Sequence, residues 1–448
     1  KTSSFTVSQD KGFYHCFGCG AHGTALGFLI DFDRLTFIEA IEELAKIAGV
    51  TIPKTQQDRS KSAENRNLQE LLLKLTSHYV TNLSKSKEAI KYLKTRGIDG
   101  KTAKKFSIGF SQDSWDEVLK KFGTSKKNIA NLYECGAIIK KDNGGYYDRF
   151  RNRIMFPIKN NGGDVVGFGG RIIEEGEPKY LNSPETPLFK KGELLYGLFE
   201  SKEFLRSSNH ALFVEGYTDV ISLAKNGFKN SLATLGTATT DTHIKKAFRF
   251  VDKITFCFDG DNAGRKAAWK ACEICLPNIR ANKETKFLIL PKNQDPDETI
   301  QSSGPEFFKK LVENAIPLSD FFIDTIKRKF DTHRPSGIAS AAEYSMTPIN
   351  RIRDGIYKDH LIEKIASELK VKTSQLKKLQ HQNKKNKIQK ISSQNKKMLS
   401  KNRPSLIRQA INILMHYPEL VLEISENKEF NHIDDKGIDT LREIITLI

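Results

Sequence analysis

Residues 210–300 alternate short, uninterrupted apolar runs with stretches of helical periodicity. In chain order the apolar runs are ALFVEG, SLATLG, ITFCFDGD and KFLILP, and a helical pattern follows each of the first three. A strand that is apolar on both faces must be covered on both faces, and helical crossovers supply that cover in a parallel sheet. This segment therefore predicts an α/β fold built around a parallel sheet, and other domains must attach to that sheet.

Carboxylates follow three of these four runs. They are Glu215 and Asp219 after the first run, Asp259 and Asp261 after the third, and Asp295 and Asp297 after the fourth. The carboxyl ends of parallel strands meet in one crevice, so these acids are expected to converge there. Neighbouring carboxylates repel one another, and divalent cations that prefer oxygen ligands relieve that repulsion. Any single Asp-Gly pair is typical of an ordinary turn, but acids at three of the four strand ends favour a two-metal phosphoryl-transfer centre.

The charge of the chain indicates a polyanionic partner. Lys and Arg outnumber Asp and Glu by 72 to 54 in 448 residues, which gives a net charge of +18. Residues 371–403 contain ten Lys, one Arg and no acid, so they supply +11 and the rest of the chain +7. Lysine-rich surfaces gain free energy by releasing counterions from nucleic acid. The alternative is a basic surface without a specific partner, and the charge alone leaves it open.

Composition also limits the cellular setting. No apolar run approaches the roughly 18 residues of a membrane span, so we expect no membrane partner. Six cysteines in 448 residues are too few for a disulfide scaffold, which favours a reducing cytoplasm. The chain begins with Lys1 and shows no signal-peptide pattern, so we interpret it as a fragment or processed piece of a soluble protein.

Two Cys-x-x-Cys pairs have different interpretations. Cys16 and Cys19 precede Gly20, which allows the tight turn of a zinc knuckle, although structural Zn²⁺ takes four ligands. Cys272 and Cys275 fall on one face of a predicted helix with no second pair nearby, so core packing is favoured there, as it is for Cys135 and Cys257.

Longer motifs resemble those of the bacterial DnaG-type replicative primases, members of the Toprim superfamily. In chain order they are YHCFGCGAHG, YLKTRG, DRFRNRIMFPI, GFGGR, PKYLNSPET, FKKGELLYG, VEGYTDV, LGTATT, FDGDNAGRKAAW and DPDE. The resemblance covers residues 1–300 and extends more loosely to 370. PKYLNSPET followed by GELLYG is far more specific than the acids alone.

The resemblance implies an α/β multidomain protein in which a Rossmann-like Toprim sheet lies inside a primase catalytic core. The implied segments are a partial zinc-ribbon (CHC2-type) domain at 1–53, a linker at 54–66, an N-terminal polymerase lobe at 67–200, the Toprim domain at 201–300, a helical part of the core at 301–370, a basic linker at 371–403 and an incomplete helical, helicase-binding domain at 404–448.

The resemblance also implies residue roles. Glu215, Asp259 and Asp261 would be the central ligands of two Mg²⁺ (or Mn²⁺) ions, and Asp219, Asp295 and Asp297 would complete the acidic cluster. The implied contacts to template phosphates or to the nucleoside triphosphate come from Arg96, Arg171, Lys179 and Lys191. Asn182 and Ser183 either add polar contacts or form a simple turn before Pro184. Cys16 and Cys19 would hold Zn²⁺ in the full-length protein with two ligands upstream of this chain, so we expect this fragment to bind zinc poorly.

The implied activity is DNA-dependent synthesis of short RNA primers on single-stranded DNA from ribonucleoside triphosphates, in the bacterial cytoplasm at the replisome. The implied partners are the template, the RNA primer, the replicative helicase through the C-terminal domain, and single-strand binding protein as a further candidate. Two alternatives remain open from the residues: a Toprim nuclease or topoisomerase acting on DNA, and a non-catalytic DNA-binding scaffold.

Overall fold

The computed structural model describes residues 4–32, 35–50, 56–280, 282–292, 294–379, 406–416, 421 and 438–447. The chain divides into two compact units, Lys1–Val371 and Lys372–Ile448, which are described separately below. Within the described ranges, no helix combines the length and the apolar character needed to cross a bilayer.

A small antiparallel sheet opens the first unit. Its strands are β1 (Phe5–Ser8), β2 (Phe13–Cys16) and β3 (His22–Thr24), and the helices α1 (Ala25–Asp31) and α2 (Phe37–Ala48) follow. Tyr14 is its buried aromatic residue, and its ring centroid lies 5.4 Å from that of Phe5 and 5.2 Å from that of Phe28. Tyr14 is thus packed between two aromatic rings at the centre of this sheet.

The next lobe begins with a 30-residue helix, α3 (Gln56–Lys85). The predicted linker 54–66 is therefore helical from Gln56 onward. Four shorter helices follow: α4 (Lys87–Thr95), α5 (Gly100–Lys105), α6 (Glu117–Phe122) and α7 (Lys126–Glu134). The predicted break lies at Arg96–Gly97, where Gly97 adopts a φ of 67°. A strand within this stretch, β4 (Gly109–Ser111), was not predicted.

The lobe carries an antiparallel sheet, as the Gly-rich strand patterns indicated. Its order is β4-β7-β8-β9, with β7 (Arg153–Lys159), β8 (Val165–Ile172) and β9 (Tyr180–Asn182). A separate hairpin pairs β5 (Ile138–Lys140) with β6 (Tyr146–Asp148).

The predicted parallel sheet is present. Its strands are β10 (His210–Val214), β11 (Ser231–Ala233), β12 (Lys253–Phe258) and β13 (Glu284–Ile289), with the helices α8 (Leu198–Ser208), α9 (Tyr217–Lys225), α10 (Asp241–Phe250) and α11 (Asn262–Cys275) around them. The sheet order is β11-β10-β12-β13, and a short antiparallel strand, β14 (Ile316–Pro317), extends the β13 edge. Phe213, Phe256 and Phe287 are at most 2% exposed, as expected for strands covered on both faces.

Helices complete the first unit. They are a 3₁₀ turn (Leu276–Asn278), α12 (Pro296–Ser303), α13 (Pro305–Glu313), α14 (Leu318–Lys329), α15 (Pro335–Ile349) and α16 (Ile356–Glu368). Trp269 of α11 stacks on Phe322 of α14 with ring centroids 5.5 Å apart. Cys272 and Cys275 are fully buried and Cys135 and Cys257 nearly so, which confirms the prediction of core packing.

In the second unit residues 373–379 are helical, and the structure describes two longer helices after them, α17 (Leu406–His416) and α18 (Ile438–Leu447). They share an apolar cluster that includes Leu414 and Leu441. The predicted basic linker lies outside the described residues from 380 onward, as does much of 404–448.

Candidate active site

Glu215 and Asp259 lie at the switch point of the parallel sheet, where the order in which the chain adds strands reverses. The chain places β11 on one side of β10 and β12 on the other, so the crevice opens at the carboxyl ends of β10 and β12. Glu215 directly follows β10 and Asp259 directly follows β12. The Asp259 N–H donates to Glu215 Oε1 at 3.2 Å, which places the two acids side by side.

Gly260 brings the third acidic segment to the same place. A side-chain carbon at this position would collide with the main-chain carbonyl of Pro291, so only glycine permits this approach. The Gly260 N–H donates to the Gln294 carbonyl at 3.3 Å. The segment that carries Asp295 is thereby fixed beside Asp259.

Helix starts hold the remaining acids. Asp219 Oδ2 accepts from the Gly216 N–H at 2.9 Å, Asp261 Oδ1 from the Gly264 N–H at 2.7 Å, and Asp295 Oδ1 from the Glu298 N–H at 2.8 Å. These are N-terminal capping contacts of α9, α11 and α12. Asp297 Oδ1 instead accepts from the Ser222 hydroxyl at 2.5 Å.

The acids perturb one another. Burial, followed by the charges of Asp295 and Asp259, raises the pKa of Asp219 to about 8. Burial, followed by the charge of Glu215 and other neighbouring acids, raises the pKa of Asp259 to about 7. Burial also raises the pKa of Glu215, with a smaller contribution from Asp261. Protons are therefore retained at this cluster near neutral pH unless a cation neutralises it.

The residues fit a hard divalent cation. Asp259 Oδ1 is buried without a hydrogen-bond partner, although a buried carboxylate oxygen normally has one. Mg²⁺ takes oxygen ligands, commonly one or two carboxylates with waters and substrate phosphates. In the described part of the chain, no group of three or more His, Cys, Asp or Glu side chains already has a metal-binding arrangement. The acids therefore lie at the same crevice, but their side chains do not yet point at one shared ion position.

Basic side chains share this crevice with the acids. The cleft has a volume of about 460 Å³, and the predicted residues that line it are Arg96, Arg171, Lys179, Glu215, Asp219, Asp259, Asp295 and Asp297. The structure therefore brings together eight of the ten residues predicted for the polymerase site.

Asp261 and Lys191 do not line the cleft. Asp261 caps α11, and its charge contributes to the raised pKa of Asp259. The main chain of Lys191 is held by two contacts: its N–H donates to Glu185 Oε1 at 3.1 Å, and its carbonyl lies 3.0 Å from His243 Nε2. The family-implied roles of both residues stay predictions.

Tyr180 is a cleft residue that the sequence analysis missed. Arg171 is only 5% exposed, and its Nη1 donates to the Tyr180 hydroxyl at 2.6 Å. That hydroxyl lies 3.3 Å from Thr218 Oγ1 at the start of α9. Tyr180 thus links the basic wall of the cleft to the helix that follows Glu215, and its position next to Lys179 in PKYLNSPET was the available signal.

Asn182 and Tyr217 make a second link between the lobes. The Tyr217 hydroxyl donates to Asn182 Oδ1 at 3.2 Å, and Asn182 Nδ2 donates to the Leu235 carbonyl at 3.1 Å. A side-chain carbon at Gly169 would lie 2.8 Å from the Tyr217 ring, so the GFGGR motif leaves room for that ring. Ser183 is fully buried and accepts from the Phe168 N–H, which is a structural role.

Cys16 and Cys19 lie at the end of β2 and in the turn after it. Hydrogen bonds from the main chain of Cys19 and Gly18 lower the pKa of the Cys16 thiol to about 7. A thiolate so favoured suits zinc, but the described residues supply only this pair and not the four ligands of a structural site.

Family models match most of the chain. The CHC2 zinc finger matches residues 1–60, the N-terminal domain of the DNA primase catalytic core matches 78–202, a Toprim-like domain matches 212–300 and the DnaB-helicase binding domain of primase matches 319–373. The last match covers α14 to α16, upstream of residues 404–448. The assignment of 404–448 to helicase binding stays a prediction.

Several DNA primases are similar to most or all of the chain. The chain is 43% identical to a DNA primase of Pseudomonas aeruginosa over 361 residues, which are 79% of this chain and 54% of the relative. It is 39% identical to a DNA primase of Haemophilus influenzae over 459 aligned positions, which cover 100% of this chain and 76% of the relative. The chain thus spans about half the length of the first of these relatives.

A solved structure shares the fold. It is a DnaG primase catalytic domain bound to single-stranded DNA, 38% identical to this chain, with a TM-score of 0.65 over 68% of this chain and 99% of that one. The α/β architecture predicted from the sequence, with its Toprim sheet, is thereby confirmed. Fold, family models and identity agree that the chain belongs to the bacterial DnaG-type DNA primase family.

Proposed function

We propose that this protein synthesises short RNA primers on single-stranded DNA from ribonucleoside triphosphates. The observation that carries the proposal is the Glu215–Asp259 pair at the switch point of the sheet, in one cleft with Arg171 and Lys179. A nucleotidyl transfer needs divalent cations at the reacting phosphate and positive groups along the polyanions, and this cleft offers residues for both.

The acidic wall would hold two Mg²⁺ or Mn²⁺ ions. Glu215 and Asp259 are the central ligands in this proposal, with Asp261 beside them and with Asp219, Asp295 and Asp297 completing the cluster. When bound, the ions would lower the pKa of the attacking 3′-hydroxyl and share the charge that builds on the α-phosphate. The protein's own part is to hold repelling carboxylates at one crevice.

The basic wall would orient the polyanions. Arg171 is fixed by Tyr180 and can present a preorganised guanidinium to a phosphate, whereas Lys179 acts as a point charge. Arg96 lies at the same wall, with its guanidinium carbon 6.0 Å from the centre of the Tyr92 ring. Lys191 is proposed as a more peripheral contact. Phosphate contacts carry no base information, so this wall would bind many sequences.

Further partners are proposed on the family relationship. Residues 319–373 match a helicase-binding domain, so we propose the replicative helicase as a partner. Single-strand binding protein is a second proposed partner. The CHC2 match supports a zinc site that includes Cys16 and Cys19. The proposed place of action is the bacterial cytoplasm at the replisome.

The test is ribonucleotide incorporation on single-stranded DNA with Mg²⁺. We expect short RNA products from the parent chain, and none from Glu215→Gln or Asp259→Asn, which keep side-chain size and remove the charge. Glu284→Gln is the matched control, because Glu284 opens β13 at the opposite end of the same sheet. Incorporation that survives both cleft changes would refute the proposed site.

The same assay separates the alternatives. DNA cleavage without RNA synthesis would favour a Toprim nuclease or topoisomerase. DNA binding that neither synthesises nor cleaves, and that is indifferent to Glu215→Gln, would favour a non-catalytic scaffold.

A further inference from the structure

Five exposed lysines lie on α5, at the end of α9 and in the segment after α9. We call them the lysine seam: Lys101, Lys104, Lys105, Lys225 and Lys229. Within the described residues none of them pairs with a carboxylate at ion-pair distance. Their charge is therefore not neutralised by the protein's own acids in direct contacts.

The seam begins at the rim of the candidate active site. Arg96 and Ile98 line the cleft, and the carbonyl of Gly97 between them accepts from Lys225 Nζ at 2.5 Å. Helix α9 runs from Tyr217, which also lines the cleft, to Lys225, a distance of roughly 12 Å at 1.5 Å per residue. The positive surface is thus continuous with the cleft.

Two lysines meet at the far end of the seam. Lys105 Nζ lies 5.5 Å from the centre of the Phe204 ring, and Lys229 Nζ lies 4.7 Å from the same centre. Burial and the charge of Lys229 lower the pKa of Lys105. Asp99, an acid beside the seam, accepts from the Thr102 N–H through Oδ1 as the cap of α5, and it interacts with Lys225 and Lys101 through its charge. Two ammonium groups held on one ring create a positive potential that favours an anionic partner.

We propose that the lysine seam binds the phosphodiester backbone of nucleic acid where it leaves the cleft. This proposal rests on the proposed function, because that function supplies nucleic acid at the cleft end of the seam. The shared chemistry is a chain of phosphates, carried either by the template strand or by the RNA–DNA product.

The test is the salt dependence of binding by the full chain. The variant is Lys105→Gln with Lys229→Gln, and the matched control is Lys309→Gln with Lys310→Gln, two exposed lysines of α13. Fluorescence anisotropy with labelled single-stranded DNA and with a labelled RNA–DNA hybrid gives log K against log salt. Loss of two phosphate contacts should reduce the slope by about 1.4 to 1.8, while the control keeps the parent slope.

Each outcome decides. A reduced slope on the hybrid alone assigns the seam to the product, and a reduced slope on single-stranded DNA alone assigns it to the template. An unchanged slope on both, or an equal reduction in the control, overturns the proposal. Because the titration reads binding and not synthesis, a failure of the seam differs from a failure of primer synthesis, which the Glu215→Gln assay reads.

Discussion

Removal of one hydroxyl group, in Tyr180→Phe, tests whether the cleft depends on a preorganised arginine. The change deletes the acceptor that lies 2.6 Å from Arg171 Nη1 and keeps the ring, whose centre lies 5.0 Å from the guanidinium carbon. A hydrogen bond to a charged group contributes about 1.5–3 kcal/mol. Tyr180 is 38% exposed, so water can replace part of the bond and the lower figure applies. About 1.5 kcal/mol corresponds to roughly a tenfold change in an equilibrium constant.

We therefore expect the KM for ribonucleotide or template to rise roughly tenfold, with a smaller change in kcat, because the carboxylates are untouched. Steady-state primer synthesis with each substrate varied in turn measures the split. Thr218→Val removes only the 3.3 Å contact and should have a weaker effect. Tyr133→Phe, on the exposed face of α7, is the remote control. A KM for Tyr180→Phe equal to that of Tyr133→Phe would show that Arg171 needs no such anchor.

Three further predictions concern charge and capping. With divalent cations chelated, the free energy of unfolding should fall as pH rises from 5 to 7, because folded Asp219 and Asp259, with pKa values of about 8 and about 7, keep protons that unfolded aspartates lose near pH 3.9. Each contributes at most about 1.4 kcal/mol per pH unit. In Asp219→Asn the unfolding free energy, measured with urea at each pH, should depend less steeply on pH. A pH dependence equal to that of the parent would contradict the retained proton at Asp219. Lys179→Ala should weaken template or nucleotide binding with little change in sequence preference; unchanged primer synthesis at limiting substrate would count against it. Asp148→Ala should lower the unfolding free energy by about 1–3 kcal/mol, because both carboxylate oxygens of this buried residue accept from N–H groups of α6, and thermal or urea unfolding unchanged from the parent would contradict that role.

The sequence predicted the parallel sheet because its strands carry a strong local signal. Continuous apolar runs such as ITFCF have no stable place except between two covering layers, and the acids after them must then meet at one edge. β4 and β14 were missed because two or three residues are too few for any periodic pattern. In both cases a long-range partner creates the strand.

The linker prediction at 54–66 shows a different error. The segment is polar, and polarity was given more weight than helix propensity. Six of the ten residues at 57–66 are Gln, Lys, Ala, Glu or Arg, which are all good helix formers. The long helix α3 can therefore extend into a segment that looks unstructured by hydropathy alone.

The motifs predict only part of the cleft. Glu215 and Asp259 follow from strand ends, whereas the Tyr180–Thr218 contact joins a residue of β9 to a residue of α9, 38 positions apart, and leaves no local pattern. Lys191 occupies a motif position and yet does not line the cleft. A motif position alone therefore does not determine where a side chain lies. The geometry of the basic wall depends on how the two sheets pack, which local spacing does not encode.

The acidic cluster combines ordinary capping with unfavourable electrostatics. Asp219, Asp261 and Asp295 each give one oxygen to a helix N–H, and the second oxygen of each makes no hydrogen bond within the described residues. Capping stabilises the helices by about 1 kcal/mol each, and the helix N-termini favour negative charge. One oxygen of each carboxylate is therefore held by a capping hydrogen bond, and the other oxygen is left to repel neighbouring carboxylates. Because those contacts are local, the sheet can hold the repelling oxygens at one crevice without a metal ion to organise them, and the proton retained near neutral pH is the charge that a divalent cation would replace.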